Sequence, residues 1–345
     1  MRFRALIASV LCGLTVTACA AVPALPIEVG VSEGEQVLEG PNETGKYYSF
    51  NPHVCPKKLY DAYGPEEWGA FFNLCDALRK GEDSFDCPSE EVYAWCFSGG
   101  PLDEFFPVAR YCVDMDYLDG YSKGVGRIKY TVPKDEFLAK EKEFEQTIED
   151  ILKENVRTDY TDFEKCIALY EYMVNNYVYD HRECDNNTVA KINNLPRGTY
   201  GTYRTFKDKK GICNEISNVY NYLLLQCGVD AVKYLGGEEN SKHAWTYVTL
   251  DDVGYFIDPT WGLPDTEEHE LTYFMMTAQD REHDFGDTME PETFCYDHRN
   301  PDVDFSATDD RYASLRGGDF EELDTKTKTL YYKVGDERRE YHYSS

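Results

Sequence analysis

Apolar positions along the chain recur with two different periods. From Lys134 to Glu154, Phe137, Phe144, Ile148 and Ile151 fall at helical spacing. A second helix is expected to begin at Thr161, because Glu164 stands three residues on and the pair makes a capping box. The stripe Phe163, Ile167, Tyr170, Val174 and Tyr177 that follows reads as a core face. A third helix is expected over Asn214 to Gln226, with Ile216, Val219, Tyr220, Leu223 and Leu224 on one side and Gly228 as a left-handed cap. The period then changes to two. HAWTYVTL starts at His243 and VGYFID ends at Asp258, with Asp251-Asp252 between them, which reads as a β-hairpin. Strands are also expected at Tyr111–Met115 and Arg127–Val132, a strand or short helix at LTYFMMT, and a terminal hairpin from TLYYKV and REYHYSS around Gly335-Asp336. No internal repeat is visible.

These elements place chemistry at their ends. Cys213 stands at the start of the third helix, where unpaired amides and the helix dipole favour a negative charge, which lowers a thiol pKa, and where its own N–H can donate to an oxyanion. If Asp251 and Asp252 form the turn, Asp258 faces Trp245 and His243 is its diagonal neighbour on the same side of the sheet. Such neighbours have Cα atoms roughly 7–8 Å apart, within reach of an imidazole and a carboxylate. A slip of one residue would put them on opposite faces. A nucleophile, a base and an orienting carboxylate are the parts needed for thiol acyl transfer.

Gly-Ile-Cys213, then His243-Ala-Trp, then Asp258-Pro-Thr-Trp-Gly, in this order, resembles the transglutaminase-like superfamily, whose core is related to papain-like cysteine proteases. The likeness is best from about Asp162 to Gln279, and FFPVARYCVDMDY and GRIKYTVP are similar to the leader region of bacterial extracellular members. The resemblance implies an α+β fold with a papain-like core, a Cys-bearing helix packed on an antiparallel sheet that bears His and Asp. It makes Cys213 the nucleophile, His243 the general base and Asp258 the orienter. One part of the pattern is missing. The stretch RTFKDKKG before Cys213 lacks the glutamine of papain-like enzymes, and no tryptophan lies between Trp95 and Trp245 to serve as in transglutaminases proper. Tyr200, Tyr203 and Asn214 remain as candidates for the second oxyanion donor. Trp245 and Trp261, with Asn214 and Tyr203, are taken as cleft lining.

Other motifs fail on context. Gly120 to Gly124 matches G-x-S-x-G, but a strand-like run follows Ser122 where the nucleophile elbow needs a helix. GVGRI lacks the third glycine and preceding strand of a dinucleotide site. No C-x-x-C, H-E-x-x-H or calcium-loop spacing occurs, so the chemistry is expected to need no metal or organic cofactor.

Composition sets the compartment and partners. Arg2 and Arg4 precede an apolar run from Ala5 to Val16 and then Val-Thr-Ala-Cys19, which reads as a signal peptide whose Cys19 is lipidated. Cleavage after Ala20, with free secretion, is the alternative. No later apolar run is long enough to span a bilayer. With 64 acidic against 35 basic residues the formal charge is −29, which disfavours nucleic acid and anionic lipid. Membrane contact is therefore expected only through the lipid anchor, and the partner is a peptide or protein substrate.

Of twelve cysteines, nine lie outside the leader and the site, and those from Cys55 to Cys112 are expected to staple the amino-terminal region. Asn42 and Asn186 head glycosylation sequons. The organisation expected is a leader at 1–19, a tether at 20–46, and a Cys-containing mixed region of no assigned chemistry at 47–133. A catalytic core at 134–300 and a β-rich segment at 301–345 follow. The function expected is extracytoplasmic acyl transfer on peptides or proteins, with hydrolysis favoured. Protein crosslinking, and a non-enzymatic binding module on the same fold, are the alternatives.

Overall fold

The computed structural model describes residues 37–39, 46–181, 201–238, 241–264, 270–285 and 303–344. Cys19, Cys184, Cys295, Tyr200 and both sequon asparagines lie outside them, as does the expected leader.

The chain opens with a short antiparallel pair, β1 (Val37–Glu39) and β2 (Lys46–Tyr48), followed by α1 (Lys57–Tyr63) and α2 (Pro65–Lys80). Pro65 at the first helical position starts α2, since its missing N–H would have had no intrahelical acceptor, and Gly81 ends it in the left-handed region at φ 67°. Then come β3 (Ser84–Asp86), α3 (Glu90–Phe97), α4 (Gly99–Phe105), α5 (Pro107–Cys112), β4 (Tyr121–Ser122) and β5 (Val125–Arg127). Trp68, Phe71, Trp95 and Phe105 pack edge to face at the centre of these helices.

Three expectations are corrected in this region. Tyr111–Met115 is not a strand: α5 runs to Cys112, and only Val113 pairs, with Tyr130, in an isolated bridge. Pro107 at the first helical position nucleates a helix whose buried residues Val108, Ala109 and Cys112 are helically spaced, and this outweighs the local β propensity. Arg127–Val132 likewise contributes only its first residue to β5. The expected disulfide staple is also absent among the described residues: Cys55, Cys75, Cys87, Cys96 and Cys112 are buried free thiols. The aromatic cluster supplies the core that a staple would have replaced.

Next come α6 (Lys134–Asn155) and α7 (Asp162–Asn176), the latter with both hydrogen bonds of the Thr161–Glu164 capping box. After β6 (Val178–Tyr179), α8 (Thr202–Asp208) and β7 (Lys210–Gly211), the chain enters α9 (Cys213–Gln226), whose residues from Glu215 to Gln226 are all buried. It packs on a sheet of order β10-β9-β8, formed by β8 (Asp230–Glu238), β9 (Ser241–Leu250) and β10 (Val253–Ile257). The hairpin register is the one expected, with Val253 opposite Leu250 and Ile257 opposite Thr246. Asp251 and Asp252 both take positive φ, 49° and 63°, as a two-residue turn matched to strand twist requires.

The remaining elements are α10 (Ala278–Phe285) and a meander of β11 (Asp319–Asp324), β12 (Thr329–Val334) and β13 (Glu337–His342). The last two are the expected terminal hairpin; β11 adds a strand. This meander is fixed to α7 by Lys328 and Tyr343, which meet Glu164 at 2.9 and 2.7 Å, and by Phe163 packed on Tyr341 and Tyr343. The amino-terminal helices share the same apolar core. Polar ties reinforce this, since the Gln226 side chain both accepts from Asn51 N–H and donates to Asn51 C=O at 2.8 Å. No described helix is long and apolar enough to cross a membrane.

Candidate active site

Cys213 is the first residue of α9, preceded by extended Ile212. Its N–H is therefore among those at a helix start that have no intrahelical acceptor. One turn on, Ser217 donates to Ala244 C=O at 2.9 Å, which pins the helix to β9 beside His243. Among the described cysteines Cys213 alone is not fully buried.

His243 lies on β9 opposite Gly236 of β8. A Cβ at Gly236 would stand 2.6 Å from the Trp245 ring, so the glycine makes room for the indole beneath the imidazole. The His243 ring meets Asp258 Oδ2 through Nε2 at 2.7 Å, and Cys213 is the other group that acts on it. A carboxylate only accepts, so Nε2 carries the proton and Nδ1 is left for the thiol. Burial alone would lower the His243 pKa. The charge of Asp258, the hydrogen bond to it and Cys213 outweigh burial and raise it to about 9.

Asp258 follows β10 directly and is fully buried. Its Oδ1 accepts from Thr260 and Trp261 N–H at 3.0 and 3.2 Å, which closes the Asp-Pro-Thr-Trp loop on its own first residue. Burial pushes the carboxyl up, but His243 and Arg281 beside it, with these hydrogen bonds, hold it below the ordinary range. The structure therefore brings His243 and Asp258 together in a hydrogen bond, with Cys213 acting on the same imidazole.

The expected lining residues separate. Trp261 is 37% exposed, stands edge-on to His243 with centroids 5.8 Å apart, and leans on Tyr273, so it forms the rim. Trp245 is only 1% exposed; it is a floor under His243 rather than a cleft wall. Its two neighbours explain this, because Tyr234 and Phe256 enclose it from adjacent strands. Tyr203 packs against Tyr111 and Phe144 and lines a small hollow with Asp103, Arg110, Gly201 and Arg204, a group that contains none of Cys213, His243 and Asp258. Asn214 adjoins Cys213, and its Oδ1 accepts from Lys233 Nζ at 3.0 Å. Lys233 is itself buried against Glu104 of α4, at 2.5 Å.

One site residue was not foreseen. Arg281 of α10 is 2% exposed, and its Nη1 stands 2.9 Å from Asp258 Oδ2. Its guanidinium lies 4.1 Å from the centroid of Trp245. The only signal was Thr277 with Asp280 three residues on, whose reciprocal hydrogen bonds start α10. That marks a helix but not the destination of its arginine. No group of three His, Cys, Asp or Glu among the described residues could hold a metal ion.

Residues 148–258, from within α6 to Asp258, match the model of the transglutaminase-like superfamily, and this segment is a transglutaminase-like domain. No curated protein matches the chain. Among solved structures, one named "Putative Cysteine Protease from Cytophaga hutchinsonii" is 14% identical over 33% of this chain and 37% of that chain, with a TM-score of 0.26. Another, named a TGase, is 18% identical over 54% of this chain and 47% of that one, with a TM-score of 0.30. The chain thus spans less than half the length of either structure.

Proposed function

We propose that this transglutaminase-like domain is a thiol-dependent acyl-transfer enzyme acting on peptide or protein substrates, with Cys213 as nucleophile, His243 as acid and base, and Asp258 as orienter. The observation that carries the reading is the position of His243, hydrogen-bonded through one ring nitrogen to a buried carboxylate and acted on by Cys213 as well. An imidazolium that persists to about pH 9 keeps a proton ready for a departing amine throughout the neutral range.

In the first half-reaction Cys213 Sγ bonds to the carbonyl carbon, the C–N bond breaks, and His243 gives its proton to the departing amine. The Cys213 N–H at the helix start stabilises the oxyanion, and Asn214 supplies the second donor. Lys233 has only donors, so it binds the carboxamide through Oδ1 and leaves Nδ2 to face another acceptor. In the second half-reaction water attacks the thioester, His243 accepts its proton, the C–S bond breaks and the acid leaves. We favour water over an amine as acceptor.

The proposal extends to location. Residues 1–19 are read as a secretion signal that leaves the protein outside the cytoplasm, anchored through a lipidated Cys19 or released by cleavage after Ala20. The burial of the other described thiols suits such a setting, since burial pushes Cys55, Cys112 and Cys227 up to about 12 and keeps them inert.

The test is incubation of the mature protein with a peptide mixture and a labelled primary amine, read by mass spectrometry. Cleaved or deamidated products with little amine incorporation, all lost in Cys213→Ala, are expected. Efficient Cys213-dependent incorporation would make the enzyme a crosslinker. Absence of both, with Cys213 alkylated at pH 6 no faster than an unstructured thiol, would leave a binding module.

A further inference from the structure

Arg281 is a buried cation for which the acyl-transfer steps have no use. Asp258 Oδ2 accepts from His243 Nε2 at 2.7 Å and stands 2.9 Å from Arg281 Nη1, so one oxygen faces two potential cations. The Nη1 contact lies off the hydrogen-bond direction, which makes it an electrostatic pairing. The guanidinium lies 4.1 Å from the centroid of Trp245, and the His243 ring stands 5.7 Å from the same indole. Little water screens this group, because Arg281 is 2% and the His243 side chain 16% exposed.

Two cations held on one carboxylate oxygen repel each other, whereas a neutral imidazole feels no such repulsion. Arg281 therefore weakens the hold of Asp258 on an imidazolium while leaving the tautomer unchanged. We infer that Arg281 is a positioning residue that divides the charge of Asp258 between two partners and so keeps the His243 imidazolium acidic enough to protonate a departing amine. This rests on the acyl-transfer reading above.

Among the described residues, the other charged groups discussed near the site have partners. Cys213 from α9 and Asp258 after β10 act on His243 directly. On β8, Lys233 is paired with Glu104. Asp280, next to Arg281 on α10, is paired with Arg316 at 2.9 Å. Tyr170 of α7 faces Asp258, but burial pushes its phenol well up and keeps it neutral.

The test follows the His243 ring by nitrogen NMR in the full chain, together with turnover of an amide and of an activated ester whose leaving group needs no proton. Wild type should titrate near pH 9. In Arg281→Met the midpoint should rise by about one pH unit, a tenfold change in proton affinity. Amide turnover should fall about tenfold, with the activated ester almost unaffected. Arg281→Lys, which keeps the charge and loses the flat stacking on Trp245, should keep the wild-type midpoint and amide-to-ester ratio. An unchanged or lowered midpoint in Arg281→Met, or equal losses on both substrates, would overturn the inference. If Arg281→Met does not fold, Arg281→Lys decides alone, since a shifted midpoint there removes charge as the cause. Absence of turnover in wild type refutes the acyl-transfer reading instead, while the NMR midpoints still report on charge sharing.

Discussion

Lys233 holds the carboxamide oxygen of Asn214 at 3.0 Å, one residue from Cys213. The lysine belongs to β8 and its counter-ion, Glu104, to α4, so the amino-terminal helices reach α9 through two side chains. Asn214→Ala should lower kcat by about 10²-fold with KM little changed, as removal of an oxyanion donor does. Lys233→Met should lose that much activity and in addition about 3–5 kcal/mol of stability, because Glu104 loses its buried ammonium partner. Steady-state kinetics and thermal melts of the two variants separate the effects. Equal KM and kcat losses in Asn214→Ala would remove it from the oxyanion site.

Asp258→Asn removes the charge that fixes the Nε2–H tautomer of His243. Turnover should fall by about 10⁴-fold. Stability should fall as well, by about 3–5 kcal/mol, since Arg281 loses its buried counter-ion. Activity kept near wild type in a folded Asp258→Asn protein would assign the orienting role elsewhere.

Trp261 forms an exposed aromatic rim beside His243. An aromatic surface of this kind contributes about 0.5–1.5 kcal/mol to a stacked contact, so Trp261→Ala should raise KM for peptide substrates up to about tenfold and spare kcat. A loss confined to kcat would move Trp261 from substrate binding into the chemistry.

Glu141 is the clearest pH-sensitive feature away from the site. It is buried in α6 with neither oxygen bonded. Burial first, and then the nearby Glu145 charge, push its carboxyl up to about 8, against a small opposing pull from Arg79. The folded state thus holds a proton that the unfolded chain releases near pH 4.5, so stability falls as pH rises from there to about 8. Glu141→Gln should flatten that decline and gain on the order of a few kcal/mol over wild type at pH 8, while at pH 4 the two melt alike. Parallel melting curves across this range would mean that Glu141 is ionised in the fold.

The site was more legible in the sequence than the region around it. Cys213, His243 and Asp258 sit at element ends marked by local rules: a helix start, the opening of an alternating run, and an Asp-Pro stop. The hairpin register followed from the Asp251-Asp252 turn alone. What escaped depended on long-range packing. Arg281 reaches Asp258 across a tertiary contact, and nothing in its own neighbourhood distinguishes it from a solvated helix arginine. Trp245 looked like a cleft wall because its exposure depends on Tyr234 and Phe256, from other strands. Tyr111 to Met115 looked extended because its β-prone residues hid the effect of Pro107.

The thiols of Cys55, Cys75, Cys87, Cys96 and Cys112, buried and unbridged in the amino-terminal helices, have a practical meaning. This part of the fold can form without an oxidant and keeps its shape under reductants, so its melting temperature should not respond to dithiothreitol. In the native protein a thiol reagent meets Cys213 first among the described cysteines, which allows the site to be counted by stoichiometric labelling before any substrate is known.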